Sequence, residues 1–161
     1  MIQPLLEGAE NVIQRASHCW LVTLSQGRGV DARPMGRVIP TMSRNGWCAN
    51  FLADSRSKKV RDILSERHVR LIFESGVDAF VSVAGVAEVI CDTEVVASRW
   101  LPAYDSIFPS AAEKANAVFI DIRAEELRLW IRGLTPEPFG VSSVTLRRPP
   151  VGDWQIDSER L

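Results

Sequence analysis

Phe51-Leu52-Ala53-Asp54-Ser55-Arg56-Ser57-Lys58-Lys59-Val60 reads as the end of a strand, a short turn and the start of a helix. Four cations, Arg56, Lys58, Lys59 and Arg61, fall within six residues at that start. A helix N-terminus carries a partial positive charge and unpaired N–H groups, so cations are disfavoured there. Their presence makes sense if an anion sits among them, and a phosphate group is the natural candidate. The plainer reading is a solvated, charged helix face.

On the N-terminal side, Leu5, Leu6, Ala9, Val12, Ile13 and Ala16 follow helical spacing and predict a helix over residues 3–17. Cys19 to Leu24 reads as a strand, Gly27, Gly29 and Asp31 as a turn, and residues 32–41 as a second strand. Asn45-Gly46 is a hairpin signal, and Trp47 to Leu52 returns as the third strand. On the C-terminal side, Ser57 is placed to cap a helix over residues 58–65, whose apolar stripe is Val60, Ile63 and Leu64. Strands follow at Val69 to Phe73 and Phe80 to Ile90, with Gly85 suited to a bulge. Residues 93–106 read as helical, interrupted by Pro102. Val118 to Ile122 and Leu127 to Ile131 alternate as two further strands, and Val144 to Leu146 as a last one. Short strands with hairpin signals and few helices predict an antiparallel barrel rather than a parallel sheet.

The 161 residues suit one domain, with residues 133–161, rich in proline, as an extension or arm that could lie along a partner subunit. Apolar residues at 46% allow a core of useful size, and a net charge of −1 gives no global field for nucleic acid or an anionic membrane. Cys19, Cys48 and Cys91 form no CxxC pair, and only His18 and His68 could complement them, so a metal site is not expected. Sparse cysteines, no secretory signal and no apolar run of membrane-spanning length give the expectation of a cytoplasmic protein.

Three segments in this order resemble the FMN-binding split-barrel superfamily, which includes pyridoxamine 5'-phosphate oxidase and the general-stress-protein flavoproteins. They are Ala32-Arg33-Pro34-Met35, Phe51 to Val60 with its Ser57-Lys58-Lys59, and Val69 to Phe73 followed by Val81 to Val89. Together they span roughly residues 10–130. The resemblance is strongest to the stress-protein branch.

The family implies a mainly β fold, a six- to seven-stranded antiparallel Greek-key split barrel, paired as a homodimer with FMN at the interface. It implies that Arg33, Ser57, Lys58 and Lys59 hold the FMN phosphate. Pro34 and Met35 would run beside the isoalloxazine ring, and Phe51 and Leu52 would line the flavin. Trp130, between Arg128 and Arg132 on the face opposite Leu127 and Leu129, is a candidate ring neighbour or a subunit-interface aromatic. Ala53 stands where relatives often carry Thr, and residues 124–161 contain no Arg-x-His pair to match the oxidase's substrate clamp. The expectation is therefore an FMN-dependent oxidoreductase that takes electrons from NAD(P)H or a small-molecule substrate, with no residue assigned as catalytic. The alternatives are a non-catalytic flavin-binding protein and a split barrel holding haem or a deazaflavin.

Overall fold

The computed structural model describes residues 1–36, 42, 44 and 46–157. The chain opens with α1 (Ile2–Arg15). Its buried residues Leu5, Leu6, Ala9, Val12 and Ile13 pack that helix onto the sheet. The strands are β1 (His18–Ser25), β2 (Gly29–Gly36), β3 (Cys48–Asp54), β4 (His68–Glu74), β5 (Ala79–Ile90), β6 (Ala117–Ile131), β7 (Val144–Arg147) and β8 (Gln155–Ile156). Between them lie α2 (Lys58–Ser65), α3 (Thr93–Ser98), a 3-10 turn at Pro102–Ser106 and α4 (Ala111–Lys114). All ladders between these strands are antiparallel, in the order β2-β1-β4-β5-β6-β7-β8, with β3 also on β6.

The long strand β6 explains the split. One edge pairs with β5 from Ile131↔Ala79 to Phe119↔Ile90. The other edge is shared: β3 takes the first half, Ala117 to Arg123, and β7 takes Glu126 to Leu129. Inward residues of β1, β3, β4, β5, β6 and β7 meet in one hydrophobic cluster with α1 and α2, so the sheet is rolled around a single core. Leu21, Leu71, Val83, Ile120, Leu127 and Leu129 are fully buried there, each contributing about 1.5–3 kcal/mol.

The structure departs from the sequence reading at several places. The two-residue strand β8 was not expected, and with it the described residues form eight strands. The two strands expected at 118–122 and 127–131 are one. Ala124 is buried inward, and Glu126 is held on the other face by Arg147 at 3.2 Å, so the polar residues between the two apolar runs do not break the ladder. A register shift at Ala84/Gly85 absorbs the change of phase. The third strand pairs with β6, not with β2. Gly46 and Trp47 both have positive φ, +92° and +52°, and Trp47 is buried, which carries the chain across the core to the far edge. Asn45 and residues 37–41, the remainder of the expected second strand, lie outside the described residues.

Two halves of the outer sheet surface differ. Over β3, β6 and the end of β5, the segment 93–116 lays down a second apolar cluster of Val96, Tyr104, Phe108, Ala117 and Phe119, with Leu52 and Trp100 against it. Over β2, β1 and β4 the outward residues Val30, Leu24, Trp20 and Ile72 are left exposed by the described residues. Residues 133–157 return to their own sheet through β7 and β8, and Trp154 packs edge-on against Trp47. No helix among the described residues is long and apolar enough to cross a membrane.

Candidate functional site

Alternation along β2 divides its residues. Asp31, Arg33 and Met35 turn inward beside Thr23, Leu21 and Cys19 of β1, while Val30, Ala32 and Pro34 turn outward. Helix α2, whose Val60 and Ile63 enter the core, packs against β1 and β5 and brings its first turn over the inward side of β2. A charged network forms where they meet. Asp62 Oδ2 accepts from Thr23 Oγ1 at 2.8 Å, Ser25 Oγ at 3.2 Å and Lys58 Nζ at 3.0 Å. It also lies 3.4 Å from Arg33 Nη2. Asp31 Oδ2 lies 2.7 Å from that same guanidinium nitrogen and 3.0 Å from Lys58 Nζ. Lys58 also donates to Ser25 Oγ.

The anions that sequence reasoning demanded for this helix start are thus supplied in part by the chain itself. Arg56 is paired with Asp54 at 2.7 Å, and Arg33 and Lys58 with Asp31 and Asp62. Burial alone would raise the Asp62 carboxyl, but hydrogen bonds from Lys58, Thr23 and Ser25 outweigh it and hold the pKa below the ordinary value. The sequence carries a signal for both acids. Asp62 follows Lys58 at i,i+4 on one helix, and Asp31 and Arg33 alternate onto one face of a strand.

Ser57 and Lys59 behave differently. Ser57 occupies the N-cap position of α2, but its hydroxyl makes no capping bond; it is buried and has no partner. The expected side-chain cap is therefore not formed. The first turn of α2 carries no acidic residue. Lys59 forms no ion pair among the described residues, and burial, followed by repulsion from Arg33, lowers its pKa. A buried, unsatisfied hydroxyl and a half-buried, unpaired ammonium beside free helix N–H groups fit an anion in chemical type. Lys59 also lines a cleft of about 280 Å³ with Leu52, Ala53, Arg56 and Phe108, and the carboxylates of Asp54 and Glu113 line the same cleft.

The remaining candidates are spread out. Phe51 is a core residue, and Leu52 packs on the outer apolar cluster. Met35 is buried, and Pro34 is exposed on the outer face. Trp130 lies opposite Phe80 on the same outer surface, stacked against Arg128. In one chain, then, Arg33, Ser57, Lys58 and Lys59 gather at the start of α2, whereas Pro34 is exposed on the outer side of β2 and Trp130 is half-buried on the outer side of β6.

An antiparallel sheet rolled around one core, with one strand shared between two edge partners, defines a split barrel. The chain belongs to the pyridoxamine 5'-phosphate oxidase like family, whose model matches residues 6–136. Solved structures of similar fold include General Stress Protein 26 from Bacillus anthracis, at 20% identity and a TM-score of 0.60 over 78% of this chain and 92% of that one. A pyridoxamine 5'-phosphate oxidase-related, FMN binding protein from Nostoc punctiforme has 12% identity and a TM-score of 0.69, over 97% and 93% of the two chains. An F420 reductase has 20% identity and a TM-score of 0.57, over 74% and 95%. No curated protein matches the sequence.

Proposed function

We propose that this chain binds FMN and acts as an FMN-dependent oxidoreductase, working as a homodimer with the flavin between subunits. The observation that carries the reading is the buried, unpartnered Ser57 hydroxyl at the start of α2, beside the unpaired Lys59. Ser57 and Lys59, joined by Arg33 and Lys58, would hold the phosphate. Arg forks two phosphate oxygens, and each Lys acts as a point charge. The bound flavin supplies the electron transfer, accepting from NAD(P)H or a small reduced substrate. The protein contributes binding, orientation and a positive environment.

The division of candidates supports the dimer. Pro34 and Trp130 sit on the outer surface, together with exposed Trp20, Leu24, Val30 and Ile72. Apolar area of that kind is the mark of an interaction site. A second copy covering it would bring the outer residues of one chain towards a cofactor held by the other. Family membership and the FMN binding relative from Nostoc punctiforme support the same reading. A deazaflavin in place of FMN is the second reading, favoured by the F420 reductase among the similar folds.

The test is the visible spectrum and the mass of the extracted cofactor from purified protein, repeated after FMN is added to a stripped sample. A yellow protein that retains FMN is expected. Retention of a compound with deazaflavin absorbance and mass selects the second reading. A colourless protein that ignores both overturns the proposal.

A further inference from the structure

We propose that Asp31 is a built-in competitor for the phosphate of the cofactor and sets how strongly this chain prefers FMN over riboflavin; the inference rests on the FMN reading above. One carboxylate oxygen, Oδ2, bridges Arg33 Nη2 at 2.7 Å and Lys58 Nζ at 3.0 Å. An oxygen shared between a guanidinium and an ammonium is what a phosphate would offer the same two groups. Asp31 thus stands where the phosphate is expected to make its contacts.

The two acids of the network differ in freedom. Asp62 touches the same cations, but its side chain is 9% exposed and is tied to Thr23 and Ser25 as well. It cannot leave without taking away the acceptor that both hydroxyls share. Asp31 is 42% exposed and, among the described residues, is held by Arg33 and Lys58. It lies two residues after Gly29, whose φ of +80° closes the β1–β2 turn. Asp31 can turn into water when another anion arrives. Its carboxyl is held below the ordinary range, chiefly by the Lys58 hydrogen bond, so it is ionised at neutral pH. Two cations facing two carboxylates leave little net charge for a dianionic ligand. Lys59 forms no ion pair among the described residues, though the Asp54 carboxylate attracts it.

An incoming phosphate must therefore displace Asp31 or sit beside it, and either event weakens binding by loss of an ion pair or by like-charge repulsion. Riboflavin, which has no phosphate, meets no such opposition. Asp31 would thereby favour exchange of the cofactor over permanent retention.

Calorimetric titration of FMN and of riboflavin into stripped full-length protein, Asp31→Asn and Asp31→Ala tests this. Both variants should bind FMN about tenfold tighter or more, with riboflavin affinity changed less than about twofold. Two variants guard against an accidental effect of either new side chain. Unchanged FMN affinity in both overturns the competitor role while the FMN reading stands. Weaker FMN binding overturns it too, and makes Asp31 a positioning residue for Arg33. If neither flavin binds any of the three proteins, the FMN reading and this inference fall together.

Discussion

Asp62 accepts a hydrogen bond at 3.0 Å from the ammonium of Lys58, one helical turn earlier, while its own side chain is almost wholly removed from water. Such a pair is retained only where further groups satisfy the carboxylate, and Thr23, Ser25 and Arg33 do so from β1 and β2. The network therefore fastens α2 to the sheet. Asp62→Ala removes the acceptor that Thr23 and Ser25 share and leaves the two cations short of a counter-charge. Stability should fall by about 2–3 kcal/mol. Urea unfolding followed by circular dichroism checks this, and a loss below about 0.5 kcal/mol would show that α2 is held by Val60 and Ile63 alone.

Gly85 sits at the register shift where β5 meets β6. A Cβ there would stand 2.5 Å from the carbonyl oxygen of Arg123 and 3.0 Å from Ile122 Cγ2. The obstacle is backbone in the longest ladder of the sheet, so it cannot move aside cheaply. Gly85→Ala should lower stability by about 1–3 kcal/mol, as overpacking does in a tight interior. A melting temperature equal to that of the parent would mean that the bulge can relax.

The bare outer face leads to a prediction about assembly. Ile72 pairs across β1 with Trp20 at its centre and is 38% exposed. Ile72→Glu costs an isolated subunit little. A charge buried in an interface without a partner should weaken a dimer about 100-fold or more. Sedimentation velocity should show monomer, with flavin retention lost in parallel. A variant that stays dimeric would move the interface elsewhere on the molecule.

Acid sensitivity has a definite window at one surface pair. Arg56 hydrogen-bonds the Asp54 carboxylate through its side chain and its backbone N–H, holding that pKa at about 2 against an ordinary 3.8. The folded value lies below the unfolded one. The contribution is therefore fully present above about pH 4 and is lost as pH falls through about 2. The stability difference between the parent and Asp54→Asn, measured by urea unfolding across pH, should be flat near neutrality and shrink over that interval. A difference that persists at pH 2 would assign it to something other than charge.

The three thiols should divide by location. Burial pushes the Cys19 thiol up to about 12, whereas Cys48 and Cys91 are exposed. Thiolate is the reactive form, so Ellman's reagent should titrate two groups in the native protein and three after denaturation. Fast reaction of a third group without denaturant would reveal opening of the β1 region.

Local features were legible from the chain alone. Val60 and Ile63 of the expected α2 stripe, the alternation of β1 and β4, and the bulge glycine at 85 all follow from spacing and from what a side chain does to a backbone, whereas Leu64, expected in the same stripe, is 71% exposed. The three motifs around Arg33, Lys58 and Val81 to Val89 were enough to point to the split barrel. Partner choice was not legible. Nothing local in Trp47 to Leu52 says that β3 joins β6, because that follows from burying Trp47 and Phe51 in a core assembled from the whole chain. The state of the basic cluster was hidden for the same reason. Residues 56–61 read as a run of uncompensated charge. Folding brings Asp31 and Ser25 to Lys58 from more than twenty residues away, while Lys59, next in sequence, forms no ion pair among the described residues. Sequence determined which charges exist and on which elements they ride. Only the tertiary structure decided which are already neutralised and which remain to meet a ligand, because a Coulomb interaction depends on separation in space and on burial, not on distance along the chain.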